Sequence, residues 1–335
     1  MKRNTIYIFL LLLFTSCELP FSLKDLGDRS VLKLYCEASS GDTTVVDIDV
    51  LVPVGDYERT PVKVRSEDVV MTVDGEVIDI MEAASDDPGL EPGTLFVVEE
   101  FPEGSEICLT ASSEGVDPIE AKTKMPMSLD GSLIKLELTD LPGNSYGGVE
   151  ERNVVRARLE LPDEMKGCHI GIQYLLKSRT DSCGVNIWDE EYIVQPVYDV
   201  TEFTSDGNFV SNPDFWHLRR MGDTYVYVWD GTDDYEFVFY HRWDSVSEWE
   251  NEEGATETWT YDSHFKLRLY AFSEEYFQYH SRTANDFFEL GMASPSYTYT
   301  NVKGGTGLLG AFRCVETPWL DDSFIDPDET VEIRF

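Results

Sequence analysis

The sequence predicts a mostly β protein: an N-terminal β-sandwich followed by a larger antiparallel β-domain that carries one amphipathic helix, at about 273–290. Three observations predict it. Apolar residues alternate with a period of two in the sets Leu32/Leu34/Cys36, Val46/Ile48/Val50/Val52, Val69/Met71/Val73 and Ile107/Leu109/Ala111, the pattern of strands buried on one face. Clusters of Gly, Pro, Asp and Ser separate these sets and supply turns. Only the segment from Tyr276 to Phe288 repeats its apolar residues at every third or fourth position, as a helix packed on a sheet does.

The chain opens with Lys2 and Arg3, an apolar run of nine residues from Ile6 to Phe14, and then Thr15-Ser16-Cys17. A positive segment, a short apolar core and small residues make a signal peptide over residues 1–16. The run is too short to span a bilayer, which takes about 20 apolar residues. Cysteine directly after small residues resembles the lipobox of bacterial lipoproteins, in which the thiol of the new N-terminus is acylated. Cys17 is therefore the lipid-attachment residue, and the partner of the mature N-terminus is the lipid bilayer. Several acyl chains on one residue anchor far more firmly than one. Residues 17–30 have no sustained periodicity and read as a tether.

Residues 31–127 hold the alternating sets. Asp74-Gly75, between Val69–Val73 and Val77–Met81, is the dipeptide of a type I′ hairpin. Short strands at regular spacing predict a small β-sandwich of Ig-like character, ending at Met125-Pro126-Met127. Residues 128–335 form the larger domain, with strands at Leu133–Leu138, Val154–Leu161, Ile170–Leu176, Tyr225–Trp229, Phe237–Tyr240 and Phe265–Ala271. Ser273 before Glu274-Glu275 supplies an N-cap with acids in the first turn, and Gly291 ends the helix. Its aromatic stripe is assigned to core packing. Gly304-Gly305-Thr306-Gly307 lacks the lysine-serine ending of a phosphate loop and opens no helix, so it is assigned to a tight turn or bulge.

The formal charge is −38, and loss of Lys2 and Arg3 with the signal peptide takes it to −40. Nucleic acid is excluded as a partner on that balance. A composition 42% hydrophobic and 13% aromatic still supports a large core. Five cysteines follow Cys17. Strand parity puts Cys36 on the buried face and Cys108 on the opposite face of its strand, against a bridge between them. Cys168 and Cys183 bracket one strand and its turn, and either a bridge in an oxidising compartment or two free thiols fits that spacing.

No Gly-x-Ser-x-Gly elbow, His-Glu-x-x-His helix or Cys-x-x-Cys pair is present. The histidines His169, His217, His241, His264 and His280 are scattered, no cofactor is implied, and the chain is expected not to be an enzyme. Asp230-Gly231-Thr232-Asp233-Asp234 and the acids from Asp321 to Glu329 are carboxylate clusters of the kind calcium uses, but neither has the twelve-residue loop pattern; both read as solvated loops, and no metal is assigned. Trp243, Trp249 and Trp259 stand in or beside a polar segment, Ser245–Glu257, and are the candidate ligand surface, since exposed rings make stacking platforms.

Two family resemblances complete the picture. Pro102-Glu103-Gly104-Ser105-Glu106-Ile107-Cys108-Leu109-Thr110-Ala111 with Ile119-Glu120-Ala121-Lys122-Thr123-Lys124-Met125-Pro126 resembles the last strands of transthyretin-like, carboxypeptidase-regulatory-like sandwiches. Together with the lipobox, Ser273-Glu274-Glu275-Tyr276-Phe277 and the stretch from Asn301 to Phe312, the chain resembles family 4249 of the domains of unknown function, outer-membrane lipoproteins of Bacteroidota. That resemblance implies a non-enzymatic accessory to a TonB-dependent outer-membrane receptor in nutrient uptake. The anchored protein is expected at the outer membrane, with the cell surface preferred to the periplasmic face and the orientation left open by the sequence. The alternative is an adhesive or structural surface protein.

Overall fold

The computed structural model describes residues 30–39, 43–52, 64–85, 89–145, 148–182, 185–194, 256–286, 299–321, 324–325 and 329–335, with strand segments at 201–203, 209–210, 219–221, 224–228, 236–240 and 245–250. In chain order the first strands are β1 (Val31–Ser39), β2 (Thr44–Leu51), β3 (Val69–Val73), β4 (Glu76–Ile78), β5 (Met81–Glu82), β6 (Leu95–Val97), β7 (Glu106–Ser113) and β8 (Val116–Lys124). Then come β9 (Leu133–Ser145), β10 (Gly148–Glu160), β11 (His169–Ser182), β12 (Val185–Val194), β13 (Thr201–Phe203), β14 (Phe209–Val210), β15 (Arg219–Met221), β16 (Thr224–Val228), β17 (Glu236–Tyr240), β18 (Ser245–Glu250) and β19 (Thr256–Phe272). Helix α1 (Glu274–Asp286) leads to β20 (Val302–Lys303), β21 (Thr306–Glu316), β22 (Leu320–Asp321) and β23 (Val331–Arg334).

The protein is mostly β, and its sheets are mostly antiparallel and not closed into a barrel. A twelve-stranded sheet runs β15-β16-β11-β19-β21-β1-β2-β6-β5, with β12, β18 and β22 paired alongside; β20-β8-β7-β3-β4 and β17-β10-β9-β23 form smaller sheets. Both smaller sheets pack on the same face of the long one. Against the first lie Leu32, Leu34 and Cys36 of β1 with Met71, Ile107 and Leu109. Against the second lie Ile172 and Tyr174 of β11 and Leu267 of β19 with Leu136, Val155 and Phe239. Each fully buried side chain of this size contributes about 1.5–3 kcal/mol, so these two apolar layers dominate the fold.

The predicted alternation forms as the sequence implies: Leu32, Leu34, Cys36, Met71, Ile107 and Leu109 are fully buried. Asp74 and Gly75 both have positive φ, 50° and 85°, as a type I′ turn requires. The run Val77–Met81, read as one strand, is two: β4 pairs with β3, whereas β5 pairs with β6 in the long sheet. Asp79 and Ile80 are the crossover between layers.

Residues 31–127 do not complete their own core. Val302, Leu309 and Ala311 belong to the same apolar cluster as Leu32 and Leu109, because β21 lies beside β1 in parallel register, Tyr35 opposite Leu308 and Glu37 opposite Gly310. The glycine stretch makes that insertion sterically feasible. Gly307 has φ +113°, and a Cβ there would stand 1.8 Å from the carbonyl oxygen of Leu34. Arg313, on the same strand, donates from Nε to the carbonyl of Pro126 (2.9 Å) and from Nη2 to that of Phe101 (2.7 Å). It thereby fastens the predicted boundary segment to the long sheet.

Candidate ligand groove and the helix beside it

Burial of Leu32, Leu34, Cys36 and Ala38 on one face of β1 turns Tyr35, Glu37 and Ser39 to the other. On β2 the same parity buries Val46 and exposes Val45, Asp47 and Asp49. Register sets Tyr35 across from Asp47 and Lys33 across from Asp49. Val64, the stretch 89–95 that leads into β6, and Phe312 line the same space, a groove of about 750 Å³. That size lies within the range of small-molecule sites. Burial, and then the neighbouring Asp49, push the Asp47 carboxyl above its ordinary range, while Lys33 opposes the shift.

Glu37 is held from two sides. Its Oε1 accepts from the Tyr35 hydroxyl, and the Nε2 of His280 lies 2.7 Å away. Burial, then the Glu37 contact, push the Tyr35 phenol far up. Tyr279 meets Tyr35 edge-on at 6.0 Å. The groove is thus bordered by α1, which covers the face of the long sheet opposite the two cores.

Helix α1 begins as predicted. The Oγ of Ser273 accepts from the backbone N–H of Tyr276 (3.2 Å) and also from that of Ala311 on β21 (3.1 Å). The Thr123 hydroxyl donates to Glu275 (2.9 Å) and sits 3.0 Å from the Ser273 hydroxyl. Glu274 lies 2.6 Å from Nε2 of the buried His169, whose ring stacks on Phe277 at 4.0 Å. The His169 bond, aided by Gln278, holds the Glu274 carboxyl below its usual range. Gly310 lets Tyr276 approach: a Cβ there would be 3.0 Å from the Tyr276 Cβ. Tyr276 and Phe277 join Phe272, Phe312 and Val226 in a third apolar cluster, in keeping with the packing role predicted for the aromatic stripe. Phe287 and Phe288 lie outside the described residues.

Of the residues singled out by sequence, Cys17 and Trp243 also lie outside the described residues. Trp249 is opposite Glu257 and Trp259 opposite Ser247 in the β18–β19 hairpin, so these two positions share a face, remote in the topology from β1 and β2. Trp259 is part-buried, with its indole N–H enclosed. Of the two readings left open for Cys168 and Cys183, a bridge or two free thiols, the strand geometry speaks against the bridge. Cys168 is a free thiol, and Cys183, outside the described residues, follows Ser182 at the far end of β11. A continuous strand of that length, at about 3.3 Å per residue, separates its ends by on the order of 40 Å, whereas a disulfide needs Cα atoms within about 7 Å. Cys36 and Cys108 are both free, as parity required.

Asp321 lies 2.8 Å from His264; Asp230–Asp234, Asp322, Asp326 and Asp328 lie outside the described residues. Gly304 forms the predicted turn, with φ +80°. Asp47 and Asp49 escaped sequence reasoning as site residues. The signal was the Val46/Ile48/Val50 alternation, which places the two acids together on the outer face. Comparison with known proteins returns no matching family model and no matching curated protein.

Proposed function

We propose that the chain is a non-enzymatic lipoprotein of the outer membrane, anchored through Cys17 and acting as an accessory to a TonB-dependent receptor in nutrient uptake. The single observation that carries the anchor is Cys17 itself, directly after Thr15-Ser16 and the apolar run Ile6–Phe14. The open groove of the β-rich architecture gives such an accessory a place to hold a ligand. Among the described residues no helix is long and apolar enough to cross a membrane, a fact that does not bear on lipid anchoring.

Two measurements test the two halves separately. Replacing Cys17→Ser should move the protein from the membrane fraction to the soluble one, and persistent membrane association would end the anchoring claim. After mild detergent extraction, the tagged wild-type chain should co-purify with a receptor of the TonB-dependent class; recovery of the chain alone from cells rich in that receptor would end the accessory role. Assembly into polymers would instead favour the adhesive alternative. Protease shaving of intact cells should remove the protein if it faces the exterior.

A further inference from the structure

The groove beside β2 runs along a stretch of strand edge with which no strand among the described residues pairs. Strand β6 pairs with β2 only at Thr44, Val45 and Val46. From Asp47 to Leu51 the strand is paired with β1 on one side, and on the other no strand of the described residues meets it. Val46 and Ile48 line the groove as well as Asp47 and Asp49. Residues from both faces of one strand border the same space only where that space wraps the strand's edge. Backbone N–H and C=O groups along such an edge are a template for another strand.

We infer that this edge receives an extended basic peptide from a partner protein, which adds a strand beside Asp47–Leu51 and sets Lys or Arg side chains against Asp47 and Asp49. Strand addition takes its affinity from main-chain bonds and its selectivity from alternate side chains. Asp47 and Asp49 are two residues apart on one face, so they match cations at alternate positions of the incoming strand. Glu37 and Glu91 add to the same sign, among the described residues the lining contains no lysine or arginine, and Lys33, across from Asp49 on β1, offsets part of the charge of the pair. Tyr35 and Phe312 give the aliphatic stems of such side chains a surface to lie on. Charge complementarity therefore selects a cationic occupant over an acidic one. The chain's remaining carboxylates extend the attraction, with a range set by salt.

This inference concerns the folded part and does not rest on the anchoring proposal; the Cys17→Ser protein should bind as the wild type does. Calorimetry on the full chain in detergent, with a seven-residue peptide alternating lysine with valine, should detect binding. The same peptide with every backbone amide N-methylated, and a glutamate counterpart, should each bind at least tenfold more weakly. The Asp47→Lys/Asp49→Lys variant, its fold checked by its urea midpoint, should invert the preference toward the glutamate peptide. Should that variant not fold, Asp47→Asn/Asp49→Asn should weaken lysine-peptide binding at least tenfold. Equal binding of the N-methylated peptide, binding that survives the Asp47/Asp49 changes, or no binding of any peptide would overturn it.

Discussion

The guanidinium of Arg313 donates to the backbone carbonyl of Phe101 at 2.7 Å, and a second donor of the same group reaches Pro126. Strand β21 thereby holds the segment that joins the two halves of the chain. Hydrogen bonds from a charged donor are worth about 1.5–3 kcal/mol each, and the carbonyls are left without that partner when the donor goes. Arg313→Met should lower stability by about 2–4 kcal/mol, read from urea denaturation. Arg313→Lys, which cannot reproduce a planar two-pronged contact, should lose most of that amount.

The glycines of β21 should differ in their tolerance. Gly307→Ala places a methyl against the Leu34 carbonyl at a positive φ and should cost more than about 3 kcal/mol or prevent folding, because backbone at both ends of the clash must shift. Gly310→Ala meets the Tyr276 side chain and Cα, which can move with the helix, and should cost about 1–3 kcal/mol. Thermal denaturation of the two variants side by side should rank them in that order.

Acid should weaken the fold partly through two glutamates. His169 holds Glu274 low, and Lys266 and then Arg268 hold Glu316 low. A carboxylate whose folded value is depressed contributes stability that is present above its ordinary value of 4.5 and lost as pH falls through the lowered one. Both side chains are well exposed, 60% and 43%, so solvent screening limits each to under about 1 kcal/mol. Glu274→Gln/Glu316→Gln should therefore be slightly less stable than wild type at pH 7, and its acid limb below 4.5 should be flatter. A wild-type slope in the double variant would contradict this.

Thiol chemistry should separate Cys36 from the rest. Complete burial pushes its thiol up to about 12, and the thiolate is the reactive form. Iodoacetamide should therefore label Cys108, Cys168 and Cys314 in the native protein before Cys36. Labelling of Cys36 should appear only as denaturant opens the β1–β21 region. Peptide mapping should find no link between Cys168 and Cys183.

Much of the strand content was legible because one-sided burial writes itself as alternation, as in Ile107/Leu109/Ala111. Strand length was less legible. β9 continues past Leu138 through Asp140, Pro142 and Gly143, and β19 begins nine residues before Phe265, because cross-strand pairing carries chains through residues of poor local propensity. The split of Val77–Met81 between two sheets left no trace in its apolar pattern. Helix α1 announced itself through Ser273, whose capping role is local, whereas its partners His169, Thr123 and Glu37 come from distant strands. The same limit applies to the groove. Parity placed Asp47 and Asp49 outward, but only topology reveals that the pairing of β2 with β6 ends at Val46.

Pairing of β1 with β21 joins Lys33 to Thr306, positions about 270 residues apart in the chain. Contacts between such distant residues come late and slow folding. During synthesis the first sandwich must therefore wait, its β1 edge unpaired and Leu32, Leu34 and Cys36 incompletely covered, until almost the whole polypeptide has appeared. A chain threaded through an export channel N-terminus first would pass that interval unfolded, which suits secretion. Truncation anywhere before Thr306 would make the interval permanent, and fragments of the N-terminal half should aggregate rather than fold.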